Sequence, residues 1–236
     1  MKPVLDLLVK DAKNVALTWF SVITQGHRAL AAMNAEDRTV QLYALRFAFY
    51  MALIAFLLNV QLVTTLRENF LGSISLAYTV LSYIEFMSGA VILHAAVRLF
   101  GGQARLQASL VVFAFLAAYL PLLTIAFGPL QQSFFAPTIQ SGNDLAAMLR
   151  QIEERYAGPS PWGSLVLILS AVAASAIIIY MYFQAFSAFR SIHRLGRLRA
   201  LPAFALGVTG HVLFVAVFVA PLEATIYQAL ATPAKG

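Results

Sequence analysis

Glu85-Phe-Met-Ser-Gly-Ala-Val-Ile-Leu-His94-Ala-Ala-Val-Arg98-Leu-Phe-Gly101-Gly102-Gln-Ala-Arg105-Leu-Gln107 places one carboxyl group inside an apolar run, closes that run with His, Arg and a Gly-Gly turn, and opens a second apolar run within a few residues. A helix needs about 20 largely apolar residues to cross about 30 Å of hydrocarbon. Two such runs joined by so short a basic loop read as two antiparallel membrane helices. The chain around them repeats the pattern.

Of the 236 residues, 61% are hydrophobic and 11% are charged. A soluble domain carries about 25% charged residues, so the composition is that of a polytopic membrane protein. With no cysteine, disulfides and thiolate metal sites are excluded. The net charge of +6 does not point to nucleic acid. The basic residues flank apolar spans, where they set topology and meet anionic headgroups. The first apolar patch, Val4 to Val9, is broken by Asp6 and no small-residue cleavage site follows. The first span is therefore expected to serve as an uncleaved targeting signal.

Residues 1–34 read as a separate amphipathic helix lying in the membrane interface, with packing against the protein's own loops as the alternative. Val4, Leu8, Ala12, Val15, Trp19 and Ile23 share one face, and Asp6, Lys10, Lys13, Ser21, Gln25 and Arg28 share the other. A basic polar face opposite an apolar face with Trp is the pattern of an interfacial helix. Gly26 is expected to weaken it near its end. Asn34 followed by Glu36 and Asp37 reads as a helix start. Residues 35–230 then hold five spans, at about 46–66, 72–97, 108–130, 163–189 and 201–222. Pro121 removes a backbone hydrogen bond inside the third span and predicts a kink. Ser170, Ala171, Ala174 and Ser175 give the fourth span a small-residue face for close packing. Between the third and fourth spans, residues 131–162 hold a short extracytoplasmic helix that starts at Asn143-Asp144 and ends at Gly158-Pro159, beside an aromatic belt of Phe134, Phe135, Tyr156 and Trp162. The expected fold is an all-α five-helix transmembrane bundle with these two additional helices.

Five spans put the termini on opposite sides. Twelve of the sixteen Lys and Arg residues then fall on the N-terminal side, so the N-terminus is expected in the cytoplasm and the C-terminus outside. The basic segments on that side hold Lys10, Lys13, Arg98, Arg105, Arg190, Arg194, Arg197 and Arg199. With Trp19 they are the candidate contacts for anionic lipid or a partner protein.

Glu85 lies about 13 residues, roughly 20 Å, from Arg98 along its helix. A carboxylate at that depth must be paired, hydrated or protonated. Tyr78 and Ser82 lie on its side of the helix and His211 is at similar depth in the fifth span. Together these four are the candidate intramembrane polar site, either a Glu–His proton relay or a polar contact that sets helix register. His94 is nine residues from Glu85, which turns it to the opposite face near the cytoplasmic end, and reads as an interfacial or packing residue. His27 and His193 read as residues of polar cytoplasmic segments. No Ser-His-Asp order, phosphate-cradling Gly loop or HExxH pattern occurs, and the scattered His residues offer no metal site. The expectation is a non-enzymatic protein with no cofactor: a scaffold or accessory subunit that binds a membrane protein, a second copy of itself or lipid. The alternative is a small transporter or proton-coupled channel using Glu85 and His211.

The segment His94-Ala-Ala-Val-Arg98-Leu-Phe-Gly-Gly102, with Gln107 opening the third span, Tyr119-Leu-Pro121 within it and a His-containing basic turn inside Phe186 to Leu206, resembles the Yip (Ypt-interacting protein) family of small membrane proteins. The resemblance covers roughly residues 40–225. It implies five spans and a cytoplasmic N-terminus. The acidic, Gly-Pro-containing tract of the eukaryotic members is absent, so the likeness is to the bacterial branch and implies the bacterial inner membrane.

Overall fold

The computed structural model describes residues 2–31, 33–63, 71–141, 161–222 and 225. Among them the secondary structure is helical throughout and no strand occurs. Helix α1 covers Lys2–Ala31, α2 Arg38–Val63, α3 Leu71–Leu99 and α4 Leu106–Leu116. A 3-10 turn at Ala117–Tyr119 leads into α5, Leu120–Ser141. Helix α6 covers Pro161–Ile192 and α7 Arg197–Phe214, followed by a π-helical turn at Val215–Val219.

Five stretches are long and apolar enough to cross a membrane: Arg38–Asn59, Val80–Leu99, Leu106–Leu130, Gly163–Ile192 and Arg197–Leu222. They overlap the five expected spans, the first lying some eight residues earlier than expected, and the protein is an all-α membrane protein. The helix after the third span runs on to Ser141, so the connection expected from residue 131 begins later. The short helix expected at 143–158 lies outside the described residues, as do the side chains of Phe134, Phe135, Tyr156 and Trp162.

The start of α2 differs from the expected one in a way local chemistry explains. Asp37, not Asn34, is the cap: its Oδ1 accepts the Thr39 N–H at 2.7 Å and its carbonyl accepts the Gln41 N–H at 2.9 Å. A carboxylate at the N-cap satisfies a helix donor that has no partner within the helix. Asn34 instead shapes the preceding turn, its carbonyl accepting the Asp37 N–H at 3.0 Å.

By internal packing the chain divides into two compact units. The first comprises Met1–Leu53, Phe86–Leu120 and Tyr180–His211, and the second Ile54–Glu85, Pro121–Ile179 and Val212–Gly236. The sequence reading set residues 1–34 apart as their own segment; the structure packs α1 into the first unit.

In the first unit, every residue from Val111 to Tyr119 is buried. Protein therefore surrounds the second half of α4 and the 3-10 turn on all sides. Phe115 meets Phe47 at 5.5 Å between ring centres, and Phe113 meets Phe86 at 5.2 Å and Phe189, edge-on, at 5.8 Å. Lipid tails are as apolar as Leu, so close packing rather than water exclusion must hold such helices together. Glycine makes that possible where α3 crosses α7. A Cβ on Gly207 would stand 2.7 Å from the Leu93 side chain, and one on Gly89 2.9 Å from the His211 ring. In the second unit, Ser170 and Ala174 of α6 are buried while Ala171 and Ser175 are exposed. Only half of the predicted small face packs, because a helix buries residues four apart on one side.

Candidate functional site

The 3-10 turn is where α1 is held. Pro121 has no N–H to give the Ala117 carbonyl, and the Leu120 N–H takes that place in a tighter i→i+3 bond. The predicted irregularity at Pro121 is this turn. In this turn the Ala118 carbonyl accepts the indole N–H of Trp19 at 2.9 Å. One residue on, the Tyr119 hydroxyl donates to the Val22 carbonyl at 3.5 Å and accepts from Gln184 Nε2 at 3.1 Å. Thr18 and Tyr43 join hydroxyls at 2.7 Å. Val15, Val22, Gly26 and Leu30 form the buried stripe, and a Cβ on Gly26 would overlap the Gln184 amide. Beside Gly26 the helix kinks at Gln25. Trp19 is thus engaged inside the protein. The outward side of α1 exposes Lys13, Leu17 and Phe20. Leu17, Thr18, Val22, Leu30, Met33 and Phe115 line a groove of about 300 Å³.

The four residues of the expected intramembrane site fare differently. His211 is buried and its Nδ1 shares a hydrogen bond of 2.8 Å with the Tyr182 hydroxyl. Glu85 and Ser82 are half-buried and belong to the second unit, whereas His211 belongs to the first. The side chain of Tyr78, like that of Lys10, lies outside the described residues.

A histidine pair that sequence reasoning did not join lies at the arginine-rich end of the first unit. His94 Nδ1 stands 2.9 Å from Ser109 Oγ, and the same oxygen stands 3.1 Å from His193 Nε2. The two imidazoles are 5.2 Å apart between ring centres, and Phe189 stacks on His193 at 5.7 Å. His193 is fully buried and its Nδ1 meets no hydrogen-bond partner. Burial, with His94 and Arg98 adding to it, pushes His193 down to about 4. The sequence placed both histidines toward one side of the predicted topology but read His193 as part of a polar segment, and nothing in it brought the two rings together.

Two matching turns frame the pair. At the end of α3, Gly102 N–H donates to the Val97 carbonyl at 2.9 Å and Gly101 N–H to Arg98 at 3.1 Å. At the end of α6, Leu195 N–H donates to Arg190 at 3.1 Å and Arg194 N–H to Ser191 at 3.1 Å. Both are Schellman caps, which need a left-handed residue at their centre. Gly101 fills one with φ of 92° and Arg194 the other with φ of 53°. The Gln103 N–H donates to the His193 carbonyl at 3.3 Å and ties the turns together. Arg98 donates to the Gly102 carbonyl at 3.0 Å. Arg98, Arg105, Arg194, Arg197 and Arg199 are exposed and Arg190 is half-buried.

Among the described residues, no three His, Cys, Asp or Glu side chains come together as a metal site. Comparison with family models, with curated proteins and with solved structures gave no match.

Proposed function

We propose that the protein is a non-enzymatic scaffold or accessory subunit of a bacterial cytoplasmic membrane that binds another membrane protein or lipid, with its N-terminus and its arginine turns in the cytoplasm. The observation that carries this reading is the way α1 is held. Its inner stripe is engaged by Trp19, Val22 and Gly26, while Leu17 and Phe20 face outward beside the groove of about 300 Å³. A helix anchored on one side with large apolar residues on the other presents a surface for apolar contact. The continuous burial of Val111 to Tyr119 adds support, since a helix enclosed by protein on all sides lines no channel within its unit. The exposed arginines suit anionic headgroups. Five spans and the bias of basic residues are in keeping with the resemblance to the Yip family, which we retain as part of this proposal.

Purification from native membranes in mild detergent tests it. The expected result is a reproducible co-purifying membrane protein or lipid that is lost in a Leu17→Asp, Phe20→Asp double variant that still folds. A lone monomer free of protein and lipid would sink the idea. The part-buried Tyr182–His211 hydrogen bond bears on a second reading, proton-coupled transport using Glu85 and His211. That reading requires Glu85→Gln and His211→Ala to abolish flux in proteoliposomes, and unchanged flux would end it.

A further inference from the structure

The His94–Ser109–His193 chain does more than join three helices, because a hydroxyl has only one hydrogen to donate. With both imidazoles neutral, His193 Nε2–H donates to Ser109 Oγ and the Ser109 O–H donates to His94 Nδ1. His193 Nδ1 is then bare. Run the other way, the chain puts the hydrogen of His193 on Nδ1, where no acceptor stands. Protonation of the two rings differs. A proton on His94 leaves both imidazole N–H groups free to donate to Oγ, which accepts twice, and His193 Nδ1 stays bare. A proton on His193 itself has only Nδ1 to occupy when Nε2–H donates to Oγ, so protonated His193 carries an N–H at Nδ1. A buried N–H without an acceptor is costly.

That position is closed by Gly102. A Cβ there would stand 2.6 Å from Nδ1 and 2.7 Å from the Val97 side chain, so the glycine backbone itself is packed over the nitrogen. An acceptor, whether water or a carbonyl, reaches Nδ1 only if the Gly101-Gly102 turn moves. Among the described residues the charge that acts on His193 beside His94 is that of Arg98 on α3, Arg199 on α7 reaches toward Gly101, and Arg105, Arg190, Arg194 and Arg197 lie close by in the sequence. Residues 86–120 and 180–211 contain no Asp or Glu. The described carboxylates of this unit, Glu36 and Asp37, are exposed around the start of α2.

We propose that His193, held through Ser109 to His94, is a buried proton-binding site whose neutral form clasps the two arginine turns together and whose protonated form releases them. Opening parts Arg98 and Arg105 from Arg194, Arg197 and Arg199, so the bound proton sets the spacing of the exposed basic surface. The inference does not depend on what that surface contacts.

Amide hydrogen exchange in lipid nanodiscs tests it, with rates corrected for the intrinsic effect of pH. The reporters are the Gly102 and Gln103 amides, which donate to Val97 and His193. Their protection is expected to fall by about tenfold or more between about pH 7 and about pH 4, tenfold being one pH unit of linkage. Amides in the interior of α3 should keep theirs. His193→Gln should hold the reporters protected throughout. Gly102→Ala puts a methyl group against Nδ1, so its reporters should exchange fast already at neutral pH with no further acid step. Constant protection in the unaltered protein overturns the proposal. So does an equal acid step in His193→Gln or Gly102→Ala, or a parallel loss throughout α3.

Discussion

Arg194 sits in the same left-handed slot of its turn that Gly101 occupies in the matching one. A side chain there costs roughly 1–2 kcal/mol, which glycine avoids. Arg194→Gly is therefore expected to raise stability by about 1 kcal/mol, read as a higher melting temperature in detergent. A lower melting temperature would mean that the Arg194 side chain makes a stabilising contact larger than the backbone cost. His193 gives the second residue-scale expectation. The unfolded chain takes up a proton near pH 6.5 that the folded chain refuses until about 4. Stability from this group is thus complete above 6.5, declines as pH falls through that window, and declines no further below about 4. Chemical denaturation across the window should show this slope, and His193→Gln should remove it.

At the scale of elements, α1 is held by its buried stripe and by hydrogen bonds to the turn that precedes Pro121. The missing proline N–H tightens the helix into a 3-10 turn, and the Ala118 carbonyl in that turn takes the Trp19 indole. Trp19→Phe keeps the ring and loses the bond, a cost of about 1 kcal/mol. Gly26→Leu places a side chain where the Gln184 amide stands and should free α1 more completely. Limited trypsin digestion checks both: cleavage after Lys13 and Arg28 should be slow in the parent, faster in Trp19→Phe and fastest in Gly26→Leu. Equal rates in all three would show that these contacts do not hold the helix. The amphipathic pattern located the correct inner face, Val15 and Trp19 included. It could not tell whether that face met lipid or protein, since both are apolar.

For the whole molecule, the arrangement of charge predicts that the two arginine turns share one side of the membrane and the C-terminal end lies on the other. The absence of cysteine makes this easy to read. Leu198→Cys, at a position 92% exposed beside the second turn, should react with an impermeant maleimide only from the cytoplasmic side. Thr225→Cys, exposed beyond the fifth span, should react only from the outer side. Labelling of both from one face would overturn the orientation.

Hydropathy and chain length by themselves determined the class of protein and its five spans. An uninterrupted apolar run has no other stable home, and its backbone must be satisfied as a helix. They also located the Gly101-Gly102 turn and the irregularity at Pro121, because glycine and proline constrain the backbone locally. Only the tertiary structure decided which polar side chains meet. Ser109 is one small hydroxyl in an apolar helix, and 84 residues separate it from His193. No local rule joins them. Their meeting follows from how three helices rotate and cross, which glycines such as Gly102 permit and which periodicity along one helix does not encode.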